Sequence, residues 1–131
     1  MPYRLLADAV LVLHGLFIAF ALLGGLTLLW RRAMAALHLP AIAWGAYVML
    51  SGRICPLTPL ENALRRAAGE AGYAGGFVEH YLAAAIYPAG LTRPAQVALG
   101  AAFVACNLGI YAGVAWRLRR ARPDGPAPRE P

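Results

Sequence analysis

The chain has little charge of either sign, little sulfur and no lysine. Of its 131 residues, 14% are Asp, Glu, Lys or Arg, against 60% hydrophobic. A water-soluble domain carries roughly 25% charged and about 45–50% apolar residues. The shortfall excludes an ordinary soluble globule and points to lipid as the solvent. All 12 basic residues are arginine; with abundant Ala and Gly, this fits a GC-rich bacterial coding sequence and carries little functional weight. The 2 cysteines, Cys55 and Cys106, are too few for a disulfide framework. One ends an apolar run and the other lies midway along a different one. They are therefore expected at different depths, as small apolar residues. A pI near 10.0 raises nucleic acid as a partner, but the arginines flank apolar runs and form no basic face. They read as orienting charges beside anionic headgroups, and no nucleic-acid partner is expected.

What the chain does have is long apolar runs. The first covers residues 5–30, broken only by Asp8 and His14. At 1.5 Å per residue it reaches about 39 Å, more than the ~30 Å hydrocarbon core, so Asp8 is expected at the interface. Trp30 and the pair Arg31-Arg32 anchor its other end. Ala19-Phe20-Ala21 resembles a signal-peptide cleavage site, but the run continues through Leu29 and only Arg4 precedes it, so a retained span is expected. The second run covers 33–55, with His38 and Pro40 near its start and Arg53 near its end. The third covers 94–116 and stops at Arg117, Arg119, Arg120 and Arg122, with Thr92 as its N-cap. Small residues four apart, Ala21/Gly25, Ala41/Gly45 and Gly109/Gly113, allow close helix packing.

Two shorter segments lie between the second and third runs. Thr58-Pro59-Leu60-Glu61 fits a capping box, with Glu61 reaching back to the N-cap. The helix that follows is amphipathic, with a stripe of Leu60, Ala63, Leu64 and Ala67, and is expected on the membrane surface. Residues 77–87 form a short apolar helix containing Glu79 and His80. Its reach of about 16 Å is too short for an ordinary span, so it is either re-entrant or a short fourth crossing. The expected fold class is all-α: an integral membrane helical bundle of three spans, a surface helix and this short helix. It forms one domain over residues 1–122, followed by a Pro-rich disordered tail over 123–131.

With three crossings and an outside N-terminus, the inside holds Arg31, Arg32 and the five arginines from Arg117 onward, seven against five. With four crossings, Arg4, Arg53, Arg65 and Arg66 join those five, nine against three. Charge favours four and segment length favours three; both put the C-terminus in the cytoplasm. The expected location is the bacterial inner membrane.

The stretch Ile54-Cys55-Pro56-Leu57-Thr58-Pro59-Leu60-Glu61-Asn62 resembles a signature of a bacterial family of small membrane proteins. So do Gly75-Gly76-Phe77-Val78-Glu79-His80-Tyr81-Leu82 and Ile86-Tyr87-Pro88-Ala89-Gly90-Leu91-Thr92. The family is the domain-of-unknown-function family 2784. Leu13-His14 and Leu37-His38-Leu39-Pro40 also resemble its pattern, which extends over nearly all of residues 4–120. The resemblance implies a multi-helix membrane protein and no particular activity.

Function therefore rests on ionisable residues at membrane depth, which are costly and persist where they pair, bind or line a pathway. His14, Arg53, Cys55, Glu61, Glu79 and His80 fall towards one side of the bilayer, because consecutive helices are antiparallel. His38 falls on the other, about 15 Å away in depth, where it reads as an interfacial residue. His14 and His80 are the pair that could flank a haem iron at a common depth. His14, Cys55, Glu79 and His80 are the mixed donor set for a transition metal, although no compact ligand motif supports one, and the cofactor stays unspecified. Glu79 or His80 is the candidate base for a membrane enzyme or proton-coupled carrier, but no nucleophile–base–orienter set is visible. The plainer expectation is a structural or accessory protein in the lipid bilayer, packing with another membrane protein or a further copy of itself. In that reading His14 and Asn107 bond across helices, and Glu79 pairs with Arg53.

Overall fold

In a computed structural model the chain is all-helical among the described residues, 2–83 and 91–121. Helix α1 (Pro2–Leu23) tightens into a 3-10 segment (Gly24–Leu29). A short 3-10 turn (Arg32–Met34) leads into α2 (Ala35–Ser51). Helix α3 (Leu57–Ala67) follows, then a π-helical turn (Val78–Ala83) and the long α4 (Arg93–Arg120). Three stretches are long and apolar enough to cross a membrane: Pro2–Leu29, Arg32–Ser51 and Arg93–Arg120. The expected short helix is described only to Ala83; its remainder, Pro88 and Gly90 included, and the tail lie outside the described residues.

The buried positions of α1 are Ala7, His14 and Ala21, one face at seven-residue spacing. Its two halves meet different partners. The first half packs against α3; the second packs with α2 and α4. There the core is small: Ala21, Ala41 and Phe103, flanked by Phe17, Phe20 and Met49. Close approach depends on glycine. A Cβ at Gly45 would stand 3.2 Å from Phe103, and one at Gly100 2.9 Å from Leu50. Gly109 and Gly113 do not share this role, since nothing lies within 4 Å of an added Cβ at either. The buried face of α4 runs through Gly100, Asn107 and Val114, and Gly109 is about 200° round the helix from Asn107.

Helix α2 ends at Gly52, whose left-handed φ of 71° follows Ser51. Arg93 meets that end: its guanidinium donates to the Met49 carbonyl at 3.3 Å and to the Leu50 carbonyl. Carbonyls at a helix C-terminus carry partial negative charge and have no intrahelical donors, so a cation there closes α2. The contact also fixes direction. Helix α4 starts where α2 stops, so it runs antiparallel to α2 and parallel to α1. Thr92 caps α4 as expected, accepting from the Ala95 N–H at 3.4 Å.

Helix α3 departs from its expected packing. It starts at Leu57 after Pro56, two residues earlier than a Thr58 cap requires. Thr58 and Glu61 are inside the helix, no side-chain cap bond forms, and Glu61 does not reach back to an N-cap. The consequence is an inverted amphipathic helix. Thr58, Glu61 and Asn62 are buried, whereas Leu60, Ala63 and Ala67 are exposed. The polar face packs inward and the apolar stripe faces out, as lipid surroundings favour. A Schellman motif ends the helix: Glu70 N–H bonds the Arg65 carbonyl at 2.9 Å and Gly69 N–H the Arg66 carbonyl at 3.0 Å.

Candidate functional site

Two buried polar centres stand at opposite ends of the bundle. At the first, α3 turns Glu61 fully inward, with no exposed surface. Its Oε1 accepts from Arg65 Nε at 2.9 Å and from the Tyr81 hydroxyl at 3.0 Å. Its Oε2 accepts from the Tyr73 hydroxyl at 2.8 Å. A carboxylate out of water needs this many donors, because an unpaired buried charge costs several kcal/mol. Arg65 extends the network to Glu70 at 3.1 Å and Asp8 at 3.8 Å, and Glu70 meets Arg4 at 3.1 Å. Asn62 pairs with both backbone groups of Tyr73, each at 2.9 Å, holding the 70–76 loop onto α3. The Glu61 hydrogen bond is the main cause that pushes the Arg65 guanidinium above its usual range. Burial first, then the Glu61 carboxylate, push the Tyr73 phenol up from its ordinary 10.0.

At the other end, His38 has no exposed surface. Its Nε2 lies 3.2 Å from the Ala21 carbonyl and its Nδ1 3.0 Å from the Tyr111 hydroxyl. A carbonyl only accepts, so Nε2 carries the proton and Nδ1 accepts from the phenol. One imidazole thus ties α1, α2 and α4 together. Gly24 and Gly25 make room for it: an added Cβ would stand 2.7 Å from the ring at Gly24 and 3.3 Å at Gly25. The expectation of an interfacial His38 is corrected. The turn between α1 and α2 is tight enough to bring residue 38 against residue 21, inside the bundle. The same bond places His14 and His38 about 10 Å apart in depth, since His14 and Ala21 are seven residues apart on α1.

Between the Glu61 centre and the helical core lies a half-open cavity of about 530 Å³, within the range of small-molecule sites. Phe17, Trp44, Val48, Phe77 and Phe103 supply much of its apolar wall. His14, Arg53, Cys55, Glu79 and Gln96 are its polar contributors. His14 is only 3% exposed, and its Nδ1 has no hydrogen-bond partner among the described residues. Its ring is held by tilted contact with Phe77 at 4.3 Å. Glu79 lies over Gly75, where φ is 83° and any Cβ would collide with the carboxylate. The left-handed conformation favours glycine here, and an added Cβ would push the Glu79 carboxylate aside.

The sequence-selected residues thus divide. His14, Arg53, Cys55 and Glu79 share the cavity wall. His80 does not: it is exposed, stacked on Tyr73 at 4.0 Å and edge-on to Tyr81 at 4.7 Å. Adjacent residues on a helical turn face different ways, so Glu79 meets the cavity and His80 meets the tyrosines. Glu61 belongs to its own network. Among the described residues no group of three or more His, Cys, Asp or Glu side chains is arranged to hold a metal ion, and no Glu79–Arg53 ion pair forms. Asn107 bonds the Phe103 carbonyl of its own helix at 3.1 Å, not a neighbouring helix. Sequence reasoning missed Tyr73, Tyr81, Arg65 and Arg93 as partners. The one local signal was the four-residue Glu61–Arg65 spacing.

Neither a curated protein nor a solved structure matches the chain. A family described as "Protein of Unknown function (DUF2784)" matches residues 4–112, a range that holds α1, α2, α3, the cavity wall and both buried polar centres. The chain therefore belongs to the DUF2784 family.

Proposed function

We propose that this protein is a small three-span component of the bacterial inner membrane that holds a lipid-soluble amphipathic molecule in its cavity. The observation that carries this reading is His14. A buried ring nitrogen without a partner is costly; His14 lines a half-open apolar cavity, and a turn of its ring would bring Nδ1 to a ligand held there. A ligand there enters sideways from lipid, so no solute path through so small a bundle is required.

Orientation follows from arginine. Arg31, Arg32, Arg117, Arg119 and Arg120 gather at the end where α1 and α4 finish, and no described acidic residue joins them. At the other end Arg4, Arg53, Arg65, Arg66 and Arg93 are mixed with Asp8, Glu61, Glu70 and Glu79. The positive-inside rule puts the first end, and the C-terminus, in the cytoplasm, which leaves the cavity in the periplasmic half. The accessory-subunit reading rests on an apolar exterior that lipid alone would cover. A haem or metal reading would need His80 on the cavity wall.

Ala102 lines the cavity and is otherwise exposed, so Ala102→Phe fills the space without disturbing the core. Gentle detergent extraction and native mass spectrometry should find a bound amphipathic molecule on the wild-type chain and none on Ala102→Phe. Identical bound species on both would overturn the cavity reading.

A further inference from the structure

The polar groups of the cavity have a charge pattern that selects one kind of headgroup. Arg53 and Glu79 are both on its wall, of opposite sign, and do not pair with each other among the described residues. Each of the other described carboxylates, Asp8, Glu61 and Glu70, has an arginine. Arg53 stands over the Tyr47 ring at 5.9 Å, but neither it nor Glu79 has an ionic partner among the described residues; two such opposite charges on one apolar cavity complement a zwitterion, a headgroup with an anionic and a cationic part joined to an apolar chain. A ligand of single charge would leave one of them unanswered.

Position agrees with this. Thirteen residues separate His38 from Ser51 along α2, and seven separate His14 from Ala21 along α1. Since His38 and Ala21 are at one level, His14 lies about 10 Å deeper than the end of α2. Arg53 follows that end directly. Arg53 is thus at the outer level of the cavity, and His14 with the Phe77 ring against it lies deeper. Such a gradient matches a membrane phospholipid, whose charges are at the surface and whose chain points inward.

We propose, building on the cavity reading above, that the occupant is a zwitterionic phospholipid of the periplasmic leaflet with a primary-amine headgroup. Its phosphate meets Arg53, its ammonium donates N–H bonds to Glu79, and one acyl chain lies along Phe17, Phe77 and Phe103. The amine is assigned as primary because the Glu79 carboxylate only accepts, and a quaternary ammonium has no N–H to give. Charge-assisted hydrogen bonds of this kind are among the stronger polar contacts.

The test uses the full chain in detergent with three single-chain lipids: lysophosphatidylethanolamine, lysophosphatidylcholine and lysophosphatidylglycerol. Binding is read by native mass spectrometry titration. Wild type should prefer the ethanolamine lipid over the choline lipid by roughly tenfold, the scale of one charge-assisted bond. Glu79→Gln should erase that preference while still binding all three. Arg53→Gln should weaken all three lipids together and keep the preference. If wild type binds ethanolamine and choline lipids equally, and Ala102→Phe abolishes both, the headgroup assignment fails and the cavity reading stands. If Ala102→Phe leaves lipid binding unchanged, or wild type binds none of the three, the lipid assignment fails along with its site.

Discussion

At the end of the bundle where α1 and α4 finish, three helices close on one imidazole whose two nitrogens both have partners. Towards the opposite end, an imidazole on α1 has a buried nitrogen with none among the described residues, and the space beside it is hollow. The first end is made from glycines that admit His38 closely. The second is propped open by α3, which turns its polar face inward and spends it on Glu61, Arg65, Tyr73 and Tyr81. The contrast teaches where stability and where binding reside. A filled polar centre fixes helices, and an unfilled one is available to a ligand. In this reading the Glu61 network is the scaffold that keeps the cavity open, and so carries the largest energetic load. Glu61→Ala takes the acceptor from two phenols and leaves the half-buried Arg65 guanidinium with only Glu70 and Asp8. The expected loss is about 3–5 kcal/mol, seen as a large drop in the detergent melting temperature. A shift no larger than that of an exposed control such as Leu108→Ala would remove the network from this role.

His38→Ala comes next. It strands the Ala21 carbonyl and the Tyr111 hydroxyl and opens a void against Gly24 and Gly25. The cost should be about 2–4 kcal/mol. Because the cavity is at the other end, the surviving folded protein should keep its lipid preference. Thermal unfolding and lipid titration on the same sample separate the two ends. If His38→Ala also erased the ethanolamine preference, the two ends would have to be treated as one coupled unit.

How much of this was legible beforehand depended on whether a feature is local. Apolar length and flanking arginines located three spans, and Thr92 with Pro94 marked the start of α4. Antiparallel helices and depth grouped His14, Arg53, Cys55, Glu61, Glu79 and His80, and four of the six, His14, Arg53, Cys55 and Glu79, line the cavity. What failed was azimuth, the direction a residue faces around its helix. Depth put His80 beside Glu79, but adjacent residues point apart. Depth put His38 at an interface, but the tight α1–α2 turn folds it inward. The stripe on α3 was found and faces outward, but its polar face packs on the bundle and not towards water, because an amphipathic pattern does not say what the polar side meets. In a membrane the apolar face can look outward and the polar face can be the core. Tyr73 and Tyr81 were invisible as Glu61 partners because the bonds span 12 and 20 residues of loop and turn.

Gly75 tests the open end with a smaller effect. Gly75→Ala forces a Cβ into a left-handed position, at a cost of about 1–2 kcal/mol, and drives the Glu79 carboxylate aside. Stability should fall modestly. The primary-amine preference should fall as in Glu79→Gln, since the carboxylate is displaced, not removed. Gly69→Ala, also left-handed but with open space around it, should show the stability cost and keep the preference. Equal lipid behaviour in the two variants would mean that the approach of Glu79 to Gly75 does not position the headgroup.

The last expected effect is read at alkaline pH. The Tyr73 phenol is pushed up from its ordinary 10.0, by burial and then by the Glu61 carboxylate. Its folded value thus lies above its unfolded value, and the folded state holds the proton more tightly. That contribution is complete below pH 10 and declines as pH rises from 10 through the raised folded value. Tyr73→Phe removes both the titration and one neutral-to-charged hydrogen bond, so it should cost about 1.5–3 kcal/mol at neutral pH. Its deficit relative to wild type should narrow above pH 10, because only wild type has this stabilisation left to lose. Tyr47→Phe, a change at an exposed tyrosine near the end of α2, is the control and should follow the wild-type curve. Melting temperatures at pH 7 and pH 10.5 for the three chains read the difference directly. Parallel curves for wild type and Tyr73→Phe would show that the phenol does not titrate with folding. The bond to Glu61 would then be one prop among several at the open end.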